Sequence, residues 1–163
     1  MVARTKEEEK VWDALAGIVD PEIPVLSIVE MKIVSRVAVE GGAVAVELTP
    51  TFIGCPAIGL MKDQIRETLT RLGYADVRVE TNFTAPWSTD LLSAEAKEKL
   101  RSFCIAHPLP VQIDLGRALG EPVACPFCSS MSTVLESPFG PTLCKQIFYC
   151  NACRQSFERF KPL

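Results

Sequence analysis

The sequence predicts an α/β fold of the α+β kind, a two-layer sandwich with a small mixed sheet and helices on one face, followed by a small four-cysteine ribbon. Three observations predict it. The first 80 residues read helix, strand, strand, helix, strand, the order of a two-layer sandwich. Gly41-Gly42 separates two valine-rich runs, as in a β-hairpin. Cys125-Pro-Phe-Cys128 is followed, after twenty-one residues, by Cys150-Asn-Ala-Cys153.

The elements follow in order. Thr5 and Glu8 form a capping box, and Val11, Leu15 and Ile18 share one helical face, so a helix is expected over residues 6–18. It ends at Asp20-Pro21-Glu22-Ile23-Pro24, where two prolines deny helical continuation. Strands are expected over 33–40 and 43–49. Ile58, Met61, Ile65, Leu69 and Leu72 then recur at helical spacing, with Pro56 in the first turn and Gly73 just past the end. Val77 and Val79 alternate with Arg78 and Glu80 as in a half-buried strand, and residues 93–103 are rich in strong helix formers. Residues 106–122, with three prolines and two glycines, read as a linker. The organisation expected is therefore a domain over 1–105, a linker over 106–122 and a ribbon over 123–163.

Composition narrows the function classes. The 163 residues carry a net charge of −3. Residues 1–120 hold 13 Lys/Arg against 17 Asp/Glu and residues 121–163 hold 4 against 3. Neither part has the basic footprint of a nucleic-acid binder. The first ten residues lack a signal-peptide pattern and no stretch is apolar enough to span a bilayer, so a soluble cytoplasmic protein with no membrane partner is expected. Thiols stay reduced in the cytoplasm, so seven cysteines read first as metal ligands, reactive thiols or buried apolar residues.

Two C-x-x-C turns joined by a hairpin present four thiolates to one ion. That is the structural zinc pattern, and Cys125, Cys128, Cys150 and Cys153 are the expected zinc ligands. A rubredoxin-like iron and two disulfides are the competing readings. Residues 133–135 and 146–149 are the expected hairpin strands, and Ser129 stands where such turns often carry glycine. The low basic charge of this part favours a structural or docking role.

Cys55 stands immediately before Pro56, at the expected N-cap of the second helix. Free amides and the positive helix end would lower the pKa of a thiol placed there. The residue then reads as a nucleophile or a transient metal ligand, with a small buried apolar residue as the plain alternative. The only histidine, His107, precedes a proline in the linker and reads as a solvent-facing loop residue, so no base is in evidence for single-thiol catalysis.

Asp20-Pro21-Glu22-Ile23-Pro24, the run from Thr49-Pro50-Thr51 to Gly54-Cys55-Pro56-Ala57, and Pro86-Trp87-Ser88-Thr89-Asp90 resemble, in order, the signature segments of the MIP18-like (DUF59) domain of iron–sulfur cluster assembly proteins. With the ribbon, and with Phe139-Gly140, Thr142-Leu143-Cys144-Lys145, Phe157 and Phe160-Lys161, the whole chain is similar to the D-component family of phenylacetyl-CoA 1,2-epoxidase systems. The resemblance implies an accessory protein of aerobic phenylacetate degradation with no turnover of its own. It would help assemble or deliver an iron–sulfur cluster, with the epoxidase subunits as partners, above all the ferredoxin-like reductase. A structural adaptor that docks through its zinc ribbon is the alternative.

The resemblance also implies that Cys55 is the transient iron or iron–sulfur site, with Asp20 and Glu22 beside it. One cysteine cannot complete a cluster's coordination. A second copy of the chain in a homodimer, a partner's cysteines or a small thiol must supply the rest. Phe52 and Ile53 depart from the family pattern, where tyrosine and a small polar residue are expected. Lys32 and Cys104 stand where relatives carry glycine. Cys104 reads as an inert helix-end residue, Cys144 as a structural residue or a fifth thiol near the zinc, and Trp87 and Asp90 as a capping turn or a functional pair.

Overall fold

The computed structural model describes residues 4–84, 86–106 and 120–161. The chain divides into two compact units, Met1–Trp87 and Ser88–Leu163.

In the first unit, α1 (Lys6–Ala16) begins with the expected capping box: Glu8 N–H donates to Thr5 Oγ1 at 3.2 Å and Thr5 N–H donates to Glu8 Oε2 at 2.8 Å. Val11 and Leu15 are buried. The helix stops two residues short of Ile18, which belongs to a tighter closing turn in which its N–H reaches the Leu15 carbonyl.

The connection that follows is ordered by polar side chains rather than by periodicity. Asp20 Oδ1 accepts from the amides of Glu22 (2.7 Å) and Ile23 (2.9 Å). Ser27 and Glu30 form a second reciprocal capping pair, at 2.9 and 3.1 Å. These turns deliver Ile23, Leu26, Ile28, Met31 and Ile33 into the core.

Strands β1 (Val34–Glu40) and β2 (Ala43–Leu48) form the expected hairpin. Gly41 and Gly42 both have positive φ, 56° and 84°, as a two-residue primed turn requires. α2 (Ala57–Arg71) crosses to β3 (Asp76–Thr81), which lies parallel to β2, giving a mixed sheet of order β1-β2-β3. Ala57, Met61, Ile65 and Leu69, four residues apart, form the buried stripe of α2. They face a layer that includes Val44, Val46, Leu48 and Val79, while Ala45 and Arg78 lie on the exposed side. Trp87 closes the unit, its buried indole N–H donating to the Met31 carbonyl at 2.7 Å.

The second compact unit holds more than the expected ribbon strands. A 3₁₀ turn (Thr89–Leu91), α3 (Ala94–Ser102) and a short strand β4 (Ile105–Ala106) precede the ribbon strands β5 (Thr133–Ser137), β6 (Lys145–Cys150) and β7 (Ser156–Phe160). β4 pairs in parallel with β7, so the four-stranded order is β4-β7-β6-β5. This second compact unit begins at Ser88, and Ala106 joins Val123, Phe148 and Phe157 in a shared core cluster. The linker expected over 106–122 falls mostly outside the described residues, as does His107. Gly140 has a local reason: a Cβ there would meet the Lys145 backbone at 3.0 Å.

Lys32 and Cys104 both adopt left-handed backbone, with φ of 57° and 61°. An L side chain there costs about 1 kcal/mol relative to glycine. Lys32→Gly and Cys104→Gly are each expected to raise stability by about 0.5 to 1 kcal/mol. Denaturant midpoints of the zinc-loaded chain check this, and a loss of stability in both variants would contradict it.

Candidate metal centre and the Cys55 loop

The two C-x-x-C turns are near copies of each other. Cys125 and Cys150 each accept, through the main-chain carbonyl, the amide of the residue four positions on: Ser129 N–H at 2.8 Å and Arg154 N–H at 2.8 Å. Each cysteine's own amide donates one residue further along, to Ser130 and Gln155. Ser129 and Arg154 both have φ of 60°. Ser129, standing where glycine is common, is therefore strained, and the same strain recurs at Arg154 in the second turn.

These turns bring four sulfurs within 4.8 Å of one another. Cys125 Sγ lies 3.6 Å from Cys153 Sγ, and Cys128 Sγ lies 3.6 Å from Cys150 Sγ. Four sulfurs at about 2.3 Å from one ion in a tetrahedron are separated by about 3.8 Å, so the donor set fits zinc.

Electrostatics also prepare the site. The Cys153 amide, above all, draws the Cys150 thiol down to about 7. Burial, then the neighbouring sulfurs, pushes Cys153 up to about 12. Burial raises Cys125 as well. Four sulfurs this close cannot all carry charge, and a divalent cation resolves the conflict by displacing their protons. Cys144 is no fifth ligand. It precedes β6, six residues from Cys150, which at strand spacing places it about 20 Å from the metal end.

The second candidate lies in the loop between β2 and α2, at the carboxyl ends of the parallel pair β2 and β3. Open α/β sheets place ligands at that end. Gly54, at φ 93°, turns the chain so that the Cys55 amide meets the Phe52 carbonyl at 3.2 Å. Cys55 is half-buried.

One expectation for Cys55 is corrected. Pro56, with helical φ −66° and ψ −24°, already belongs to the first turn of α2, and Cys55 immediately precedes it. Its thiol pKa is raised, not lowered. Burial is the largest cause, and the negative charges of Glu22 and Asp20 add to it. The amides of Ala57 and Ile58 do favour the thiolate, as expected of a helix start, but they are outweighed. The resting thiol therefore keeps its proton at neutral pH and is a slow nucleophile.

Asp20 and Glu22 thus act electrostatically on Cys55. Asp20 is buried and already spends Oδ1 on two backbone amides. The three residues do not converge as preformed ligands: among the described residues, the four ribbon cysteines are the one group of three or more side chains placed to hold a metal ion. Around Trp87 and Asp90 the capping is done by serines: Ser88 Oγ accepts the Asp90 amide at 3.2 Å and Ser93 caps α3. Cys104 is exposed at the end of α3. Residue patterns gave no sign that the Cys55 loop would present bare apolar side chains, with Ile53 77 % exposed and Phe52 40 %.

No helix among the described residues is long and apolar enough to cross a membrane. The family of iron–sulfur cluster assembly proteins matches residues 8–81, and the PaaD zinc beta ribbon domain matches residues 114–161. A protein named as a candidate D component of 1,2-phenylacetyl-CoA epoxidase, from Escherichia coli (strain K12), is 38% identical over 93% of this chain and 91% of its own length. The Fe-S protein maturation auxiliary factor YitW of Bacillus subtilis (strain 168) is 33% identical over 55% of this chain and 89% of its own. The crystal structure of a domain of unknown function, DUF59, from Bacillus anthracis superposes with a TM-score of 0.53 at 30% identity, covering 57% of this chain and 90% of that one.

Proposed function

The chain belongs to the family of the Escherichia coli 1,2-phenylacetyl-CoA epoxidase D component, and from that premise we propose that it is a non-catalytic accessory protein that hands iron or an iron–sulfur cluster to the reductase component of such an epoxidase. One observation carries the reading: Cys55 is a single half-buried thiol, at the carboxyl end of a parallel strand pair, in the field of two carboxylates.

That environment is unfavourable to a bare thiolate and favourable to a cation. Ferrous iron arriving at Cys55 displaces the thiol proton, and the same Glu22 and Asp20 charges that raised the thiol pKa then stabilise the complex. A site with one soft ligand holds its cargo incompletely, so a client with free cysteines can complete the coordination and take it. A thiol kept protonated and without a positioned base does not suit acyl transfer.

The test is anaerobic reconstitution of the full chain with ferrous iron and sulfide, paired with the iron and sulfide content of the reductase isolated from cells. Cys55→Ser is expected to remove the iron bound beyond zinc and to leave the reductase short of cluster. Normal reductase maturation with Cys55→Ser would defeat the reading.

A second reading, a zinc-ribbon adaptor, is favoured by the exposed Phe127, Met131 and Phe139 of the second unit. It predicts the opposite pattern in the same assay. Cys55→Ser would then be harmless, and only disruption of the ribbon would matter. A ribbon fragment used to test docking should start at Ser88, so that β4 is retained.

A further inference from the structure

The outer face of the first unit's sheet ends in a groove of about 490 Å³, lined by Glu47, Glu80, Thr81, Asn82, Phe83 and Thr84. It leaves the sheet at the same end as the Cys55 loop, since Asn82 N–H donates to the Leu48 carbonyl at 2.8 Å where β2 gives way to that loop. Its floor is built: Asn82 Nδ2 donates to Glu47 Oε2 at 2.9 Å, while Asn82 Oδ1 accepts from Thr84 N–H at 2.9 Å. The bond from Asn82, above all, holds the Glu47 carboxyl below its ordinary range.

No lysine or arginine lines the groove. Arg36 is already paired with Glu47 and Arg78 with Asp76, and among the described residues no ion pair engages the exposed Glu80. Phe83, at the groove's edge, is 57 % exposed. The unit as a whole carries nine Lys/Arg against thirteen Asp/Glu over residues 1–87.

We infer that this groove is where the client docks, taking a protein segment in which a lysine or arginine neighbours an apolar side chain, the cation against Glu80 and the apolar group against Phe83. Charge decides among the occupants. A second copy paired through this same face would bring Glu80 against an acidic surface, and a nucleic acid would bring phosphates against it. A basic, apolar segment meets both features at once, at the end of the sheet from which the Cys55 loop departs. The inference rests on the delivery reading above, with the epoxidase reductase as client.

The experiment measures binding of purified cluster-free reductase to the immobilised full chain at low and high salt. Wild-type binding is expected to weaken as salt rises. Glu80→Lys is expected to weaken it by about tenfold or more and Phe83→Ser by severalfold. Circular dichroism melts confirm that the variants fold. Wild-type affinity in both groove variants, binding indifferent to salt, or no binding of the reductase by the wild-type chain would each overturn the docking site. Normal cluster content in reductase matured with Cys55→Ser defeats the delivery reading instead, and leaves the groove variants' effect on binding as a separate result.

Discussion

Stripping zinc with a strong chelator, or replacing Cys150 by serine, is expected to unfold the second unit while the first keeps its structure. The core cluster that holds the metal ligands is small, with Ala106, Val123, Phe148 and Phe157 buried around Cys125 and Cys150 themselves. Two of the metal's ligands are therefore also core side chains. A structural zinc site contributes about 10 to 16 kcal/mol of apparent binding energy at neutral pH, as much as the whole net stability of a typical domain. So small a core cannot replace that. Without the ion, four crowded sulfurs and the left-handed Ser129 and Arg154 are left as uncompensated costs. The first unit has its own core, including Val11, Leu15, Met61, Ile65 and Leu69, and needs no metal for it.

Amide hydrogen exchange checks this: protection should vanish across β5, β6 and β7 on chelation and persist in α2 and β3. The pH dependence has a definite sign. Zinc must displace the thiol protons, and below about pH 7 even Cys150 has taken up its own, so affinity falls as pH is lowered through that region. A chelated protein that retained β6 protection would show that the core suffices by itself.

What could be seen in the sequence was local and periodic. α1 and α2 announced themselves by apolar residues three and four apart, the hairpin by Gly41-Gly42, and the metal site by the spacing of four cysteines. What could not be seen depended on distant partners. β4 is only two residues long and is defined by its pairing with β7, so nothing near Ile105 reveals that α3 and β4 belong with the ribbon. β7 itself was hidden because Arg159 occupies a buried position in it. The stretch 18–33 gave no pattern because Asp20, Ser27 and Glu30, rather than a helix or strand, set its path.

Cys55 illustrates the same division. Its nearness to a helix start was legible, and so was the help from nearby amides. The sign of its pKa shift was not, because burial and the Glu22 charge come from another part of the chain. Lys32 and Cys104 stood out only by resemblance, as non-glycine residues at glycine positions. Their positive φ gives the physical reason for that preference.

Arg159→Met is expected to make the protein more stable. Arg159 is fully buried on β7, opposite Gln146 of β6. Its Nη1 donates one long bond, 3.3 Å, to the Glu121 carbonyl, and its guanidinium lies 5.3 Å from the centre of the Phe148 ring. Nε and Nη2, the edge that normally grips a carboxylate side-on, have no partner among the described residues. Burial draws the Arg159 pKa down to about 10, so the group is still charged at neutral pH and carries its desolvation cost there. A cation–π contact returns about 0.5 to 2 kcal/mol, less than the several kcal/mol lost on removing such an ion from water. Methionine reaches along the same path over Phe148 without charge and with little lost volume, and replacements of this kind are neutral or stabilising by about 1 to 4 kcal/mol. Arg159→Ala should go the other way, because it leaves a void beside Phe148. Denaturant midpoints of the zinc-loaded proteins separate the two. A loss of stability in Arg159→Met would mean that Nε and Nη2 engage an anionic group beyond the described residues, and the search for that group would start there.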